Sequence, residues 1–199
     1  MLKEVNSRSA GRKLKLQMQM TIDGFVAGPN GELDWMEWNW SDDIKKYVSD
    51  LTDSVDTILL GRKMTDGFVS HWTNVAADPT NEEYSAAKKF IDYPKVVFTK
   101  TLTESKWKNT TLAKGNLSEE INNLKKQSGK DIIVYGGAGF VSSLIRENLI
   151  DEYYLFINPT AVGIGLGIFN NLKEKLNLKL VNTKTFSNRI VGLFYKNAE

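Results

Sequence analysis

The 199-residue sequence has no cysteine, a single histidine and only four prolines. Without cysteine there are no disulfides, no thiolate metal sites and no cysteine nucleophile. The lone histidine, His71, argues against a histidine-built zinc site or a Ser-His-Asp triad, so no metal is expected. The 26 basic and 24 acidic residues leave a net charge of +2, too balanced for nucleic acid or an anionic membrane as the main partner. No apolar run approaches the length of a membrane span. Residues 1–13 are polar and basic with no apolar centre. They do not read as a secretory signal and are expected to form a flexible lead-in, with the cytoplasm as the expected location. With 41% hydrophobic and 25% charged residues, the remaining 14–199 read as one globular domain.

The chain does contain a regular alternation of strand-like and helix-like segments, which argues for a largely parallel sheet flanked by helices. Leu14 to Met20 alternates apolar and polar residues as a first strand, and Gly28-Pro29-Asn30-Gly31 supplies turn chemistry. Ser41-Asp42-Asp43 opens a helix running to about Asp53. Strands are expected at Thr57–Leu60, Lys95–Thr99, Ile132–Tyr135 and Glu152–Asn158, with a short edge strand at Thr110–Ala113. Helices are expected from about Asn81 to Ile91, from Ser118 to about Gln127 with Ser118 as cap, and from Phe140 to Arg146. Leu176–Phe186 and Arg189–Lys196 read as a closing antiparallel hairpin around Ser187-Asn188.

Ligands of open parallel sheets bind beyond the carboxyl ends of the strands. Three such ends carry phosphate-compatible groups. One is Gly61-Arg62-Lys63-Met64-Thr65, a glycine followed by two cations at the start of a helix. The second is Thr99-Lys100-Thr101, and the third is Gly136-Gly137-Ala138-Gly139, where a strand turns straight into a helix whose amides favour an anion. Each segment alone fits an unliganded turn equally well. Together they suggest a ligand with more than one phosphate, such as a dinucleotide, although the strict G-x-G-x-x-G fingerprint is absent.

The ordered motifs resemble the dihydrofolate-reductase-like superfamily. The similarity is greatest to stand-alone relatives of the reductase domain of the bifunctional riboflavin-biosynthesis enzyme. They are Met20-Thr-Ile-Asp-Gly-Phe-Val-Ala27, Leu33-Asp-Trp35, Ile58-Leu-Leu-Gly-Arg-Lys-Met-Thr65, Val97-Phe-Thr-Lys100, Ile133-Val-Tyr-Gly-Gly-Ala-Gly139, Ile150-Asp-Glu-Tyr153 and the Pro159 to Phe169 segment. The resemblance implies an α/β fold with a mostly parallel central sheet, closed by the C-terminal hairpin, and NADPH as cofactor. It places Gly61, Arg62, Lys63, Met64 and Thr65 at the adenosine phosphates and pyrophosphate. Thr99 and Lys100 fall near the 2′-phosphate, and Gly136, Gly137, Ala138, Gly139, Phe140 and Val141 at the pyrophosphate. It also implies a cis Gly136–Gly137 bond and a mobile loop from Ala27 to Trp35 over the nicotinamide.

Two departures bear on the substrate. Tyr135 stands where the riboflavin reductases carry glutamate, and Asp66-Gly67-Phe68-Val69 replaces their Asp-Asn-Pro-type loop. Asp23, Asp34 and Tyr135 are the candidate catalytic residues, each with an ordinary structural role as its alternative. Trp35 and Trp40 are candidate walls for a flat heterocycle, or packing residues. The expected activity is NADPH-dependent hydride transfer to a C=N or C=O bond of a pteridine- or aminopyrimidine-like small molecule. The nearest family activity is 5-amino-6-(5-phosphoribosylamino)uracil reduction. A non-catalytic NADPH or metabolite binder is the second reading. A homodimer is expected, using the apolar Tyr153–Ile157 strand and an exposed sheet edge.

Overall fold

The alternating segment at Leu14–Thr21 forms β1, and all eight of its residues are buried. An amphipathic strand can be buried throughout only if both faces of its sheet are covered. Leu14, Leu16, Met18 and Met20 pack into one core with Val141, Leu144 and Ile145. Lys15, Gln17 and Gln19 occupy the opposite face, because successive side chains alternate.

The computed structural model describes residues 11–198. After β1 come β2 (Phe25–Ala27), α1 (Asp42–Asp53), β3 (Val55–Gly61), α2 (Arg62–Val75), α3 (Tyr84–Asp92), β4 (Lys95–Phe98) and β5 (Thr110–Ala113). Then follow α4 (Leu117–Lys126), β6 (Asp131–Val134), α5 (Ala138–Arg146), β7 (Glu152–Asn158), β8 (Leu166–Gly167), β9 (Leu178–Thr185) and β10 (Val191–Asn197). The main sheet has the order β5-β4-β3-β6-β1-β7-β10-β9. Its first six strands are parallel, and β10 runs antiparallel to both β7 and β9.

Helix α1 lies across the Lys15–Gln19 face. Its Ile44 and Val48 meet Phe156, Phe186 and Phe194, while Leu51 joins Ile58, Leu60 and Ile133. The C-terminal hairpin forms as expected, turning through Phe186–Ile190 with Arg189 at φ 69°.

Several boundaries differ from expectation for local reasons. Helix α4 is capped by Asn116, whose side chain accepts from the Ser118 and Glu119 amides, so Ser118 is already inside the helix. Asn81 accepts from the Glu83 amide in a separate turn, and α3 begins only at Tyr84. The two-stranded ribbon β2–β8 was not apparent from the short runs that form it. The expected lead-in at 1–13 lies mostly outside the described residues. Within them Arg12 is buried, bonding the Thr57 hydroxyl at 2.7 Å and pairing with Asp56. Lys13 pairs with Glu152 at 2.8 Å. The strand Tyr153–Ile157, expected to offer a dimer surface, is interior because β1 and β10 flank it.

Candidate functional site

The three glycine- and cation-bearing segments follow β4, β3 and β6, which are consecutive in the sheet. Gly61 is paired with Phe98, and Leu59 with Val134, so the segments leave the same edge side by side. The Gly61 amide donates to the Gly136 carbonyl at 3.2 Å. A Cβ on Gly61 would sit 3.0 Å from Phe140 Cβ, and one on Gly136 would sit 3.1 Å from Met64 Sδ. Gly136 also has φ 141°, a conformation that side chains rarely adopt. The Gly136–Gly137 bond is cis. Glycine is what lets the α2 and α5 starts approach this closely.

Both helices begin with unopposed amides. The N-caps of α2 and α5, Gly61 and Gly137, provide no side-chain cap, and neither first turn contains an acid. Aligned peptide dipoles leave partial positive charge at such ends. Beyond Gly137 and Gly139 the space is open. Arg62, Lys63 and Lys100 are exposed at the same edge. Thr65 is fully buried and donates to the Gly61 carbonyl at 3.1 Å, which fixes the first turn of α2. Thr99 is also buried. Its hydroxyl accepts from the Thr101 and Leu102 amides, both at 3.2 Å, so it shapes the turn that presents Lys100. Ala138, Phe140 and Val141 belong to α5, with Phe140 packed against Phe98 in a tilted pair at 4.9 Å and Val141 in the core. Their side chains hold the helix in place, and the groups left open at its start are its amides.

The candidate acids fare differently. Asp23 is exposed, and its carboxylate accepts from the amides of Val162 at 3.1 Å and Gly163 at 2.7 Å. Hydrogen bonds from the Thr21 hydroxyl and these amides hold it below the usual carboxylate range. It fastens the β1–β2 turn to the loop before β8. The Tyr135 ring stacks on Phe68 at 5.7 Å, and its hydroxyl lies 3.4 Å from Thr52 Oγ1. Burial pushes that hydroxyl well above its ordinary value. Tyr135 is half-buried against the Phe68–Phe90 cluster with its hydroxyl turned toward α1, the ordinary structural role that stood as its alternative. Asp34 is exposed on the loop that follows Ala27, itself buried in β2.

Beside β6, the carboxyl end of β1 holds groups that sequence reasoning missed. The Glu37 amide donates to Asn158 Oδ1 at 3.1 Å, and Asn158 Nδ2 donates to Gln19 Oε1 at 2.7 Å. A backbone N–H can only donate, so it fixes the orientation of Asn158. Asn158 in turn fixes Gln19 with its own NH2 outward. That Gln19 nitrogen is buried without a partner, as are Gln17 Oε1 and the indole nitrogens of Trp35 and Trp40. Buried polar groups are ordinarily bonded, so these open ones are candidates for bonding a bound small molecule or water. The only hint in the sequence was the presence of two glutamines within a strand otherwise built of Leu and Met.

Comparison with known proteins identifies the family and the fold. The family model of the RibD C-terminal domain matches residues 12–192. The uncharacterized protein YyaP of Bacillus subtilis is 37% identical over 184 residues, covering 92% of this chain and 94% of its own. A Thermotoga maritima deaminase/5-amino-6-(5-phosphoribosylamino)uracil reductase superposes with a TM-score of 0.67 at 17% identity, over 94% of this chain and 57% of its own. Dihydrofolate reductase from Enterococcus faecalis, complexed with NADP(H), gives 0.60 at 14% identity, over 94% and 97%. With the family model spanning nearly the whole chain and the fold shared with these reductases, the chain belongs to the RibD C-terminal domain family.

Proposed function

We propose that the protein is an NADPH-dependent reductase acting on a C=N or C=O bond of a small, flat heterocycle. The observation that carries this reading is the pair of adjacent helix starts, α2 and α5, with no cap and no acid of their own. Arg62, Lys63 and Lys100 surround that pair at the same sheet edge. A pyrophosphate suits the two sets of amides, and a 2′-phosphate suits the cations. NADPH, when bound, would supply the hydride.

The chain's own residues position and enclose. Gly61, Gly136 and Gly137 would let the backbone reach the phosphates, and Met64 would pack below them. Gln17 and Gln19, with Trp35 and Trp40 beside them, would hold the substrate ring by hydrogen bonds that water otherwise supplies. The face of β1 turned to α1 carries Lys15, Gln17 and Gln19 and no acid, so an uncharged ring edge suits it better than a protonated one. With Asp23 and Tyr135 committed elsewhere, the accompanying proton would come from Asp34 or from solvent.

Fluorescence titration tests the cofactor assignment. NADPH should bind about tenfold or more tightly than NADH, and Arg62→Ala or Lys100→Ala should erase most of that preference. Equal affinity of the unaltered protein for the two dinucleotides removes the 2′-phosphate assignment. The absence of an acid on the substrate wall favours one competing reading, a binder that does not catalyse. NADPH bound but never oxidised across a panel of pterins, aminopyrimidines and simple carbonyls would establish that reading instead.

A further inference from the structure

At the opposite, amino-terminal edge of the sheet, α2, α3 and the segment leading into β5 enclose a cavity of about 330 Å3. Its lining includes Phe68, Trp72, Phe90 and Trp107 together with Lys95. Trp72 and Phe90 lie 4.3 Å apart and Phe68 meets Phe90 edge-on at 5.6 Å, so the aromatic wall is continuous. None of these residues belongs to the candidate NADPH site.

Lys95 is only 3% exposed. Its Nζ donates to the carbonyls of Ile91 at 2.9 Å and Tyr93 at 2.7 Å, which leaves one of its three donors free. Among the described residues no carboxylate lies within ion-pair distance of it. The nearby acids are engaged elsewhere. Asp92 faces Lys88 at 4.0 Å, and Asp66 holds both Lys106 at 2.8 Å and the Trp107 indole N–H at 3.0 Å. Lys108 adds another cation to the cavity lining. Burial lowers the Lys95 ammonium to about 8, with Asp92 opposing the fall from beyond ion-pair distance and Lys108 adding to it. A buried ammonium is costly unless paired, and an anion seated here would pair it.

We propose that this cavity binds a small aromatic carboxylate, its ring against Trp72, Phe90 and Trp107 and its carboxylate on Lys95, with Lys108 beside it. The volume is near the lower bound of about 300 Å3 for ligand pockets, which selects one or two fused rings. The apolar walls favour a ring over an aliphatic acid, and the unopposed lysine favours a carboxylate over an amide.

The test uses the full-length protein with benzoate and 2-naphthoate, followed by tryptophan fluorescence and saturation-transfer NMR. Benzamide and acetate are the controls. At least one aromatic acid should bind, with benzamide, acetate and Lys95→Met each weakening association about tenfold, the scale of a lost charge-assisted hydrogen bond. NADPH binding should be unchanged in Lys95→Met. If that variant does not fold, Trp107→Leu must weaken the aromatic acid by a similar factor. Failure of both acids to bind overturns the proposal, as does equal binding of benzoate and benzamide, or undiminished binding to the folded variant.

Discussion

Helices α4 and α5 both start beyond the carboxyl end of a parallel strand, yet their first turns are opposites. In α4, Asn116 accepts from two amides and Glu119 and Glu120 lie in the first turn. Glu120 also accepts from the Gly115 amide at 3.1 Å. The positive end of that helix is answered from within the chain. In α5 the cap is Gly137 and the first residues are Ala138 and Gly139, with no side-chain cap and no acid in the first turn. Among the described residues no side chain of this helix start answers its positive end. Helix α2 repeats the α5 pattern beside it. The difference separates a helix start answered by its own side chains from one left open, which is the kind of start an external anion can use.

The comparison can be broken most directly by giving α5 what α4 already has. Ala138→Asp would put a carboxylate in the open first turn. NADPH affinity should fall about tenfold or more, while the melting temperature holds or rises slightly, since the acid suits the helix dipole. Calorimetric titration and thermal melting together check this, and undiminished NADPH binding would place the phosphates elsewhere. The converse change, Asn116→Ala, removes the α4 cap and should lower stability by about 1 kcal/mol with NADPH affinity unaltered. Urea denaturation and the same titration separate the two effects.

The smallest effect concerns α1, another helix with an acidic start. The Ser41 hydroxyl, together with the Ser187 amide and hydroxyl and the Ile44 amide, holds the Asp43 carboxylate at about 2, below its ordinary 3.8. A depressed folded-state value means that the stabilisation is present above the ordinary value and is lost as pH falls towards 2. Asp43→Asn should therefore flatten the decline of stability across that acid window and leave the pH dependence near neutrality unchanged. An unaltered acid-denaturation profile would show that these bonds contribute nothing.

The strands of the sheet were legible because their apolar runs end at glycine, threonine or proline. Helix α1 was legible from Ser41-Asp42-Asp43. Short-range competition hid other features. Asn116 outranks Ser118 as a cap because it reaches two amides at once. The β2–β8 ribbon has too few residues to carry a period. Among the candidate site residues, the glycines could be read locally, since close approach and positive φ are properties of a single position. Asp23 and Tyr135 could not, because what their oxygens bond is brought in from Gly163 and Thr52.

The sequence by itself determined the alternation of elements, the family, and the glycine and cation segments, all written in spacings of a few residues. Tertiary structure alone decided that β4, β3 and β6 lie next to one another, which turns separate turns into one candidate anion site. It also decided that Asn158, 139 positions from Gln19, orients that amide. The physical reason is that periodicity and turn chemistry are local. Strand order and hydrogen-bond partners depend instead on which distant faces bury each other, and no window of sequence contains both partners.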